Sequence, residues 1–251
     1  MNAPNPSALA ANVRESVTLF SATLDALDPD SLSRPSALPG WTRAHVVAHV
    51  DGVSRAIARQ IDHAGRGERI AFYDGGMEGR NERIELTATV APQKLLSRVR
   101  EALMLLLESV HDVPADGWDA STSFRGEGTV ADCVLGAWRE TLIHASDLAG
   151  ASTPADWPAE FSAHLFDFLS ARIPVGRRVV LQPTGRPPLT IGAGRDGCVV
   201  TGMEFDLAAW LAGREPLGPV VATATADASE LPALLPWPSA LVPSVAPDRA
   251  R

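Results

Sequence analysis

Four stretches within the first 150 residues carry apolar side chains at helical spacing, and this repeat constrains the fold more than any other feature. Ser7 to Leu27 sets Val13, Val17, Phe20, Leu24 and Leu27 along one face and is stopped by Asp28-Pro29. A Pro39-Gly40 turn and the N-cap residue Thr42 open a second helix, running to about His63, with Val46, Val47, Val50, Val53 and Ile57 as its stripe. A third runs from about Pro92, well suited to a first turn, to His111. The fourth starts near Thr129 and ends at Gly150, a residue suited to the C′ position. Between the second and third, Gly65 to Val90 reads as mostly loop around a short helical piece, because Gly75-Gly76 and Gly79 interrupt it. Long connections in compact domains often have a functional job. Four helices and one long connection predict a four-helix bundle.

After Gly150 the texture changes. A Pro-containing linker, Ser152 to Pro158, precedes a helix expected over Ala159 to Ile173. Strand-like runs follow at Arg178 to Gln182, Leu189 to Ile191 and Cys198 to Thr201, separated by Gly and Pro turns. Glu204 to Ala212 reads as helix and Val220 to Thr225 as another strand, while the Pro- and Ala-rich tail after Leu235 reads as poorly ordered. The expected class is α+β. It has two domains, a helical bundle over residues 1–151 and a small α+β domain over 152–251.

Composition excludes several functions. The 251 residues are 45% hydrophobic with no apolar run long enough to cross a bilayer, and the N-terminus lacks the basic and apolar segments of a signal peptide. A net charge of -8 argues against nucleic acid as the main partner. Two cysteines, Cys133 and Cys198, are too few for a disulfide framework, so a reducing cytoplasm is the expected location. Lys94 is the single lysine, leaving arginine to carry nearly all the positive charge.

The chemistry-bearing residues cluster on the second and fourth helices. His45 and His49 are four apart, as are Glu140 and His144, with Asp147 three further on. Residues one turn apart share a helix face, so a carboxylate and an imidazole can ligate one cation. A histidine from the second helix completes a His2Glu set, which leaves a position for water or substrate. Spacing alone leaves the alternative open: ordinary histidines on an amphipathic face and an i,i+4 ion pair. Cys133, two turns before Glu140, reads as a small core residue, with metal ligation or nucleophilic attack as its other roles. Trp41, Trp138 and Trp210 default to core packing. Gly192-Ala-Gly194 lacks the third glycine and the setting of a dinucleotide loop.

The stretch "LPGWTRAHVVAHV", with Trp41, Thr42 and His49, resembles the N-terminal motif of the mycothiol-dependent maleylpyruvate isomerase family, part of the DinB-like bundle superfamily. "RETLIHASDL", Arg139 to Leu148, resembles its second motif, and "EGRNERI" and "DLAAWLAGRE" resemble its Arg-Asn-Glu segment and closing helix. The resemblance extends through about Pro216. It implies a DinB-like bundle and zinc held by His49, Glu140 and His144, with His45 outside the ligand set. It also implies mycothiol as a thiol cofactor or cosubstrate, and cis-trans isomerisation of maleylpyruvate to fumarylpyruvate or a close analogue. Thiol addition, rotation about the resulting single bond and elimination would perform it. Thiol S-transfer to another electrophile is the alternative within the superfamily, and a non-catalytic metal-binding or interaction module is the alternative outside it. Arg80 and Arg214 match arginines that the resemblance makes functional, as cationic clamps for a dicarboxylate and the thiol cofactor. Asp147 is a candidate to orient a ligand, although an i,i+3 reach to His144 is expected to be awkward.

Overall fold

In the computed structural model, residues 5–224 and 230–238 are described. The chain divides into two compact units, Met1–Thr153 and Pro154–Arg251. Among its described residues the first holds five α-helices: α1 (Pro6–Asp25), α2 (Arg43–Gly65), α3 (Gly76–Ala88), α4 (Pro92–His111) and α5 (Val130–Asp147). A short hairpin of β1 (Ser121–Thr122) and β2 (Gly128–Thr129) leads into α5. The bundle is formed by α1, α2, α4 and α5, with α2 packed on both α4 and α5, and α1 packed on α5.

The apolar stripes face inward as their spacing requires. Val13, Phe20 and Leu24 of α1, Val46, Val50 and Ile57 of α2, Leu95, Val99 and Leu106 of α4, and Val134, Trp138 and Leu142 of α5 are all buried. One polar pair crosses this core: Ser16 and Thr141 hydroxyls lie 2.7 Å apart. The N-caps are where the sequence puts them. The Thr129 hydroxyl accepts from Asp132 N–H while the Asp132 carboxylate accepts from Thr129 N–H, closing a capping box. The end of α5 differs from expectation. Its left-handed residue is Ala149 (φ 49°) and not Gly150, because the helix stops a residue earlier, at Asp147 with Leu148 as cap.

The connection from Gly65 to Val90 also differs. Half of it is α3, a 13-residue helix packed on α2. Only Ile84 and Thr87 of α3 are buried, so it has no apolar stripe to read. The same glycines that suggested loop launch it: Gly75 and Gly76 take φ of 74° and 64°, a conformation that favours glycine.

The second unit contains α6 (Ala159–Phe168), which tightens into a 3-10 turn at Leu169–Arg172 and so ends short of Ile173. Its sheet has strand order β4 (Leu189–Ile191), β3 (Gly176–Pro183), β5 (Gly194–Gly202), β6 (Val221–Ala224). The β3–β5 pair is parallel and the flanking pairs are antiparallel. Helix α7 (Glu204–Leu211) packs on α6 and on β3 and β5, burying Phe161, Leu165, Val179, Leu181, Val200, Leu207 and Leu211. The Ala- and Pro-rich tail beyond residue 238 lies outside the described residues, as does Thr225. No helix among the described residues is long and apolar enough to cross a membrane.

Candidate metal centre

The register of α2 is set at its first turn. His45 Nδ1 accepts a hydrogen bond from Thr42 N–H at 3.2 Å and lies 2.7 Å from the Thr42 hydroxyl, while Trp41 stacks on its ring. Among the described residues, His45 Nε2 reaches only Glu85, at 3.4 Å. His45 therefore caps the helix that carries His49. One turn later His49 is buried among Trp41, which meets it edge-on, and His144, whose ring is perpendicular at 4.7 Å.

The second half of the site comes from α5. Glu140 Oε2 lies 2.8 Å from His49 Nε2 and 3.1 Å from His144 Nε2. One donor atom from each of the three residues falls within 4.8 Å of the others. Tetrahedral zinc with ordinary bond lengths separates its ligand atoms by about 3.3 Å, so this nitrogen-nitrogen-oxygen set fits a divalent ion. Both histidines are buried and Glu140 is half-buried, so one side of the set stays accessible.

Asp147 is fully buried, and its Oδ2 accepts from His144 Nδ1–H at 2.8 Å. This corrects the expectation of an awkward i,i+3 reach: Asp147 is the last residue of α5, and its carboxylate turns back beneath the imidazole. The bond keeps a proton on Nδ1, so Nε2, which faces Glu140, is the nitrogen that would be given up to a cation. Arg80, on α3, donates from Nη2 to His49 Nδ1 at 3.1 Å and from Nη1 to Asn81 Oδ1 at 2.8 Å.

The electrostatics follow from these contacts. Desolvation would raise the Glu140 carboxyl, but the charges and hydrogen bonds of His49 and His144 outweigh it and hold it well below the usual range. Burial lowers His49, against the pull of Glu140. Burial also works to lower His144, yet Asp147 and Glu140 together lift it to about 9.

Two neighbours are not evident from spacing. Tyr73 is the chain's single tyrosine, and its phenol is pushed up to about 12 by burial and by Glu140, partly offset by Arg80. It stays a neutral proton donor at physiological pH. Arg139 is buried beside Glu140, and burial together with Arg125 draws it down to about 9. The available signals were a lone Tyr in the long connection and an Arg directly preceding Glu140. Cys133 is absent from the donor set. Its thiol is buried in the bundle, 3.5 Å from the Thr122 hydroxyl, and burial pushes it up to about 12. Trp138 is core, and Trp210 is buried in the second unit.

Arg214 belongs to the second unit. It follows Gly213 (φ 69°) at the end of α7, its N–H donates to Ala209 O at 2.8 Å, and its guanidinium lies over Trp237 at 6.0 Å.

Comparison with known proteins agrees with this architecture. The chain is similar in fold to the crystal structure of the mycothiol-dependent maleylpyruvate isomerase, with a TM-score of 0.81 at 24% identity over 91% of this chain and 95% of that one. A histidine-to-alanine mutant of that isomerase gives a TM-score of 0.80 at the same identity and coverage. No curated protein matches the chain. Residues 156–236 match the family model of the MDMPI C-terminal domain, and residues 7–149 match that of the mycothiol maleylpyruvate isomerase N-terminal domain. That second match takes in α1 through α5 with every donor of the His49, Glu140 and His144 cluster, and by it the chain belongs to the mycothiol maleylpyruvate isomerase family.

Proposed function

We propose that the protein is a zinc-dependent enzyme that uses mycothiol to isomerise maleylpyruvate, or a close analogue, from cis to trans. The observation that carries this reading is the convergence of His49 Nε2, Glu140 Oε2 and His144 Nε2 on one partly accessible point within a bundle. His49, Glu140 and His144 would hold the zinc. Bound there, zinc supplies a Lewis acid that favours the thiolate form of a thiol in its open position, and a thiol added reversibly across a cis double bond leaves a single bond free to rotate.

The chain's own residues have separate tasks. Asp147 fixes the ring and tautomer of His144. Glu140 brings one negative charge, which lowers the net charge of a bound dication. Arg80 presents a guanidinium beside His49, suited to a substrate carboxylate. Tyr73 holds its proton at the phenol oxygen next to Glu140 and Arg80, where it can donate to charge that develops on an enolate. Arg214 is the second cationic clamp that the family likeness suggests.

A turnover assay tests this. Zinc-loaded protein is given mycothiol together with maleylpyruvate, and separately with the model electrophile monochlorobimane. Isomerisation that needs both the thiol and zinc supports the reading. Conjugation of the bimane without isomerisation would assign an S-transferase instead, and full isomerisation after zinc removal would overturn the mechanism.

A further inference from the structure

A cavity of about 170 Å³ adjoins His49 between α2, the turn at residues 72–74, α3 and Arg98 of α4. Pockets for drug-sized ligands run to about 300 Å³ and more, so this one has room for a small molecule or one end of a larger one. Five arginines line it against two aspartates. Four are engaged: Arg55 and Arg98 flank the buried Asp51 at 2.9 and 3.0 Å, Arg59 bonds Asp74 at 2.7 Å and two backbone carbonyls, and Arg80 bonds His49 and Asn81. Arg83 remains, three residues beyond Arg80 on the same face of α3. Arg83 has no hydrogen bond or ion pair among the described residues, and its charge acts on Asp74 only from a distance.

Gly52 is the other unusual feature of the wall. It sits inside α2, where glycine is the weakest helix former after proline, with an ordinary helical φ. A Cβ added there would meet nothing within 4 Å, so packing does not demand a glycine. The space it leaves belongs to the cavity.

We propose that this cavity is a subsite for the carboxylate end of a small organic acid. The carboxylate is met by Arg83 together with Arg80, and Gly52 sets the room available. This rests on the proposed function only for which acid is turned over; the binding itself stands on the cavity. Bidentate guanidinium contacts suit a carboxylate, and two on one helix face give the site its charge preference.

Maleate is the probe. Its binding to the full chain is measured by isothermal titration for the wild type, Arg83→Gln, Gly52→Ala and Gly52→Leu, with the zinc content of each preparation determined in parallel. Arg83→Gln and Gly52→Leu are expected to weaken maleate at least tenfold, Gly52→Ala to change it less than threefold, and all to keep their zinc. Arg83 is exposed, so its variant decides alone should Gly52→Leu fail to fold. Maleate affinity within twofold of wild type in Arg83→Gln, or no binding to the wild type at millimolar concentration, overturns the subsite. Absence of zinc from the wild type would contradict the metal reading and leave the maleate result standing, so the two failures are told apart.

Discussion

Arg80 Nη2 donates a hydrogen bond to His49 Nδ1 at 3.1 Å, and this contact places the imidazole proton on Nε2, facing Glu140. A metal ion on Nε2 requires the other tautomer, with its proton on Nδ1, where a guanidinium has no lone pair to receive it. Arg80 and a cation therefore compete for the same ring. Removing Arg80 also removes a positive charge from beside the site. Arg80→Ala is expected to bind zinc about fivefold more tightly, the equivalent of one net hydrogen bond of about 1 kcal/mol, while its turnover falls. Competition with a fluorescent chelator reads the affinity. Weaker zinc binding in Arg80→Ala would show that the arginine supports the ligand.

Asp147 acts with the opposite sign. Its Oδ2 receives His144 Nδ1–H at 2.8 Å from a fully buried position. Asp147→Asn keeps the size but exchanges a charged acceptor for an amide. Zinc affinity should fall about 10- to 100-fold, as when other carboxylates behind metal-bound histidines are changed. The same competition assay applies, with far-UV circular dichroism to confirm that the bundle is intact. Unchanged affinity would reduce Asp147 to a helix-end contact.

Two helix glycines make a contrasting pair. Gly52 has open space where a Cβ would go, so Gly52→Ala should stabilise the protein by about 0.5–1 kcal/mol through helix propensity alone. A Cβ on Gly136 of α5 would stand 2.7 Å from Phe124 Cζ. Gly136→Ala should destabilise by about 1–3 kcal/mol, as overpacked cores do. Urea denaturation midpoints at a common slope distinguish the two signs.

The thiols give a prediction in pH. Burial carries Cys133 from a model-compound value of 9.0 to about 12, so at pH 8 its thiolate is roughly a thousandfold scarcer than that of an exposed cysteine. Cys198 is only partly buried and is shifted in the same direction. Ellman's reagent at pH 8 should titrate Cys198 in the folded protein and Cys133 only after denaturation. The folded state favours the protonated Cys133, so its contribution to stability is intact below about pH 9 and is lost as pH rises toward about 12. Rapid reaction of two thiols in the native protein would return Cys133 to the list of reactive groups.

The bundle was legible in the sequence because the valines and leucines of α1, α2, α4 and α5 repeat at helical spacing and end at Pro and Gly signals. α3 was legible only as a short helical piece within a loop, since it buries only Ile84 and Thr87 and depends on α2 for its place. The spacing of Glu140 and His144 is equally compatible with an exposed ion pair, and what separates the readings is burial beside a third residue 91 positions away. Asp147 was visible as a residue but not as a partner, because its reach depends on where α5 stops. Tyr73 gave no pattern at all: its place beside Glu140 comes from the turn before α3, whose geometry two left-handed glycines determine.

The central claim is that His49, Glu140 and His144 hold one metal ion. Zinc per chain, measured by inductively coupled plasma mass spectrometry after zinc loading and exhaustive dialysis, tests it for the wild type and His49→Ala. The account predicts close to one equivalent in the wild type and almost none in His49→Ala at unchanged helical content. Equal zinc in both proteins, or none in the wild type, would contradict it.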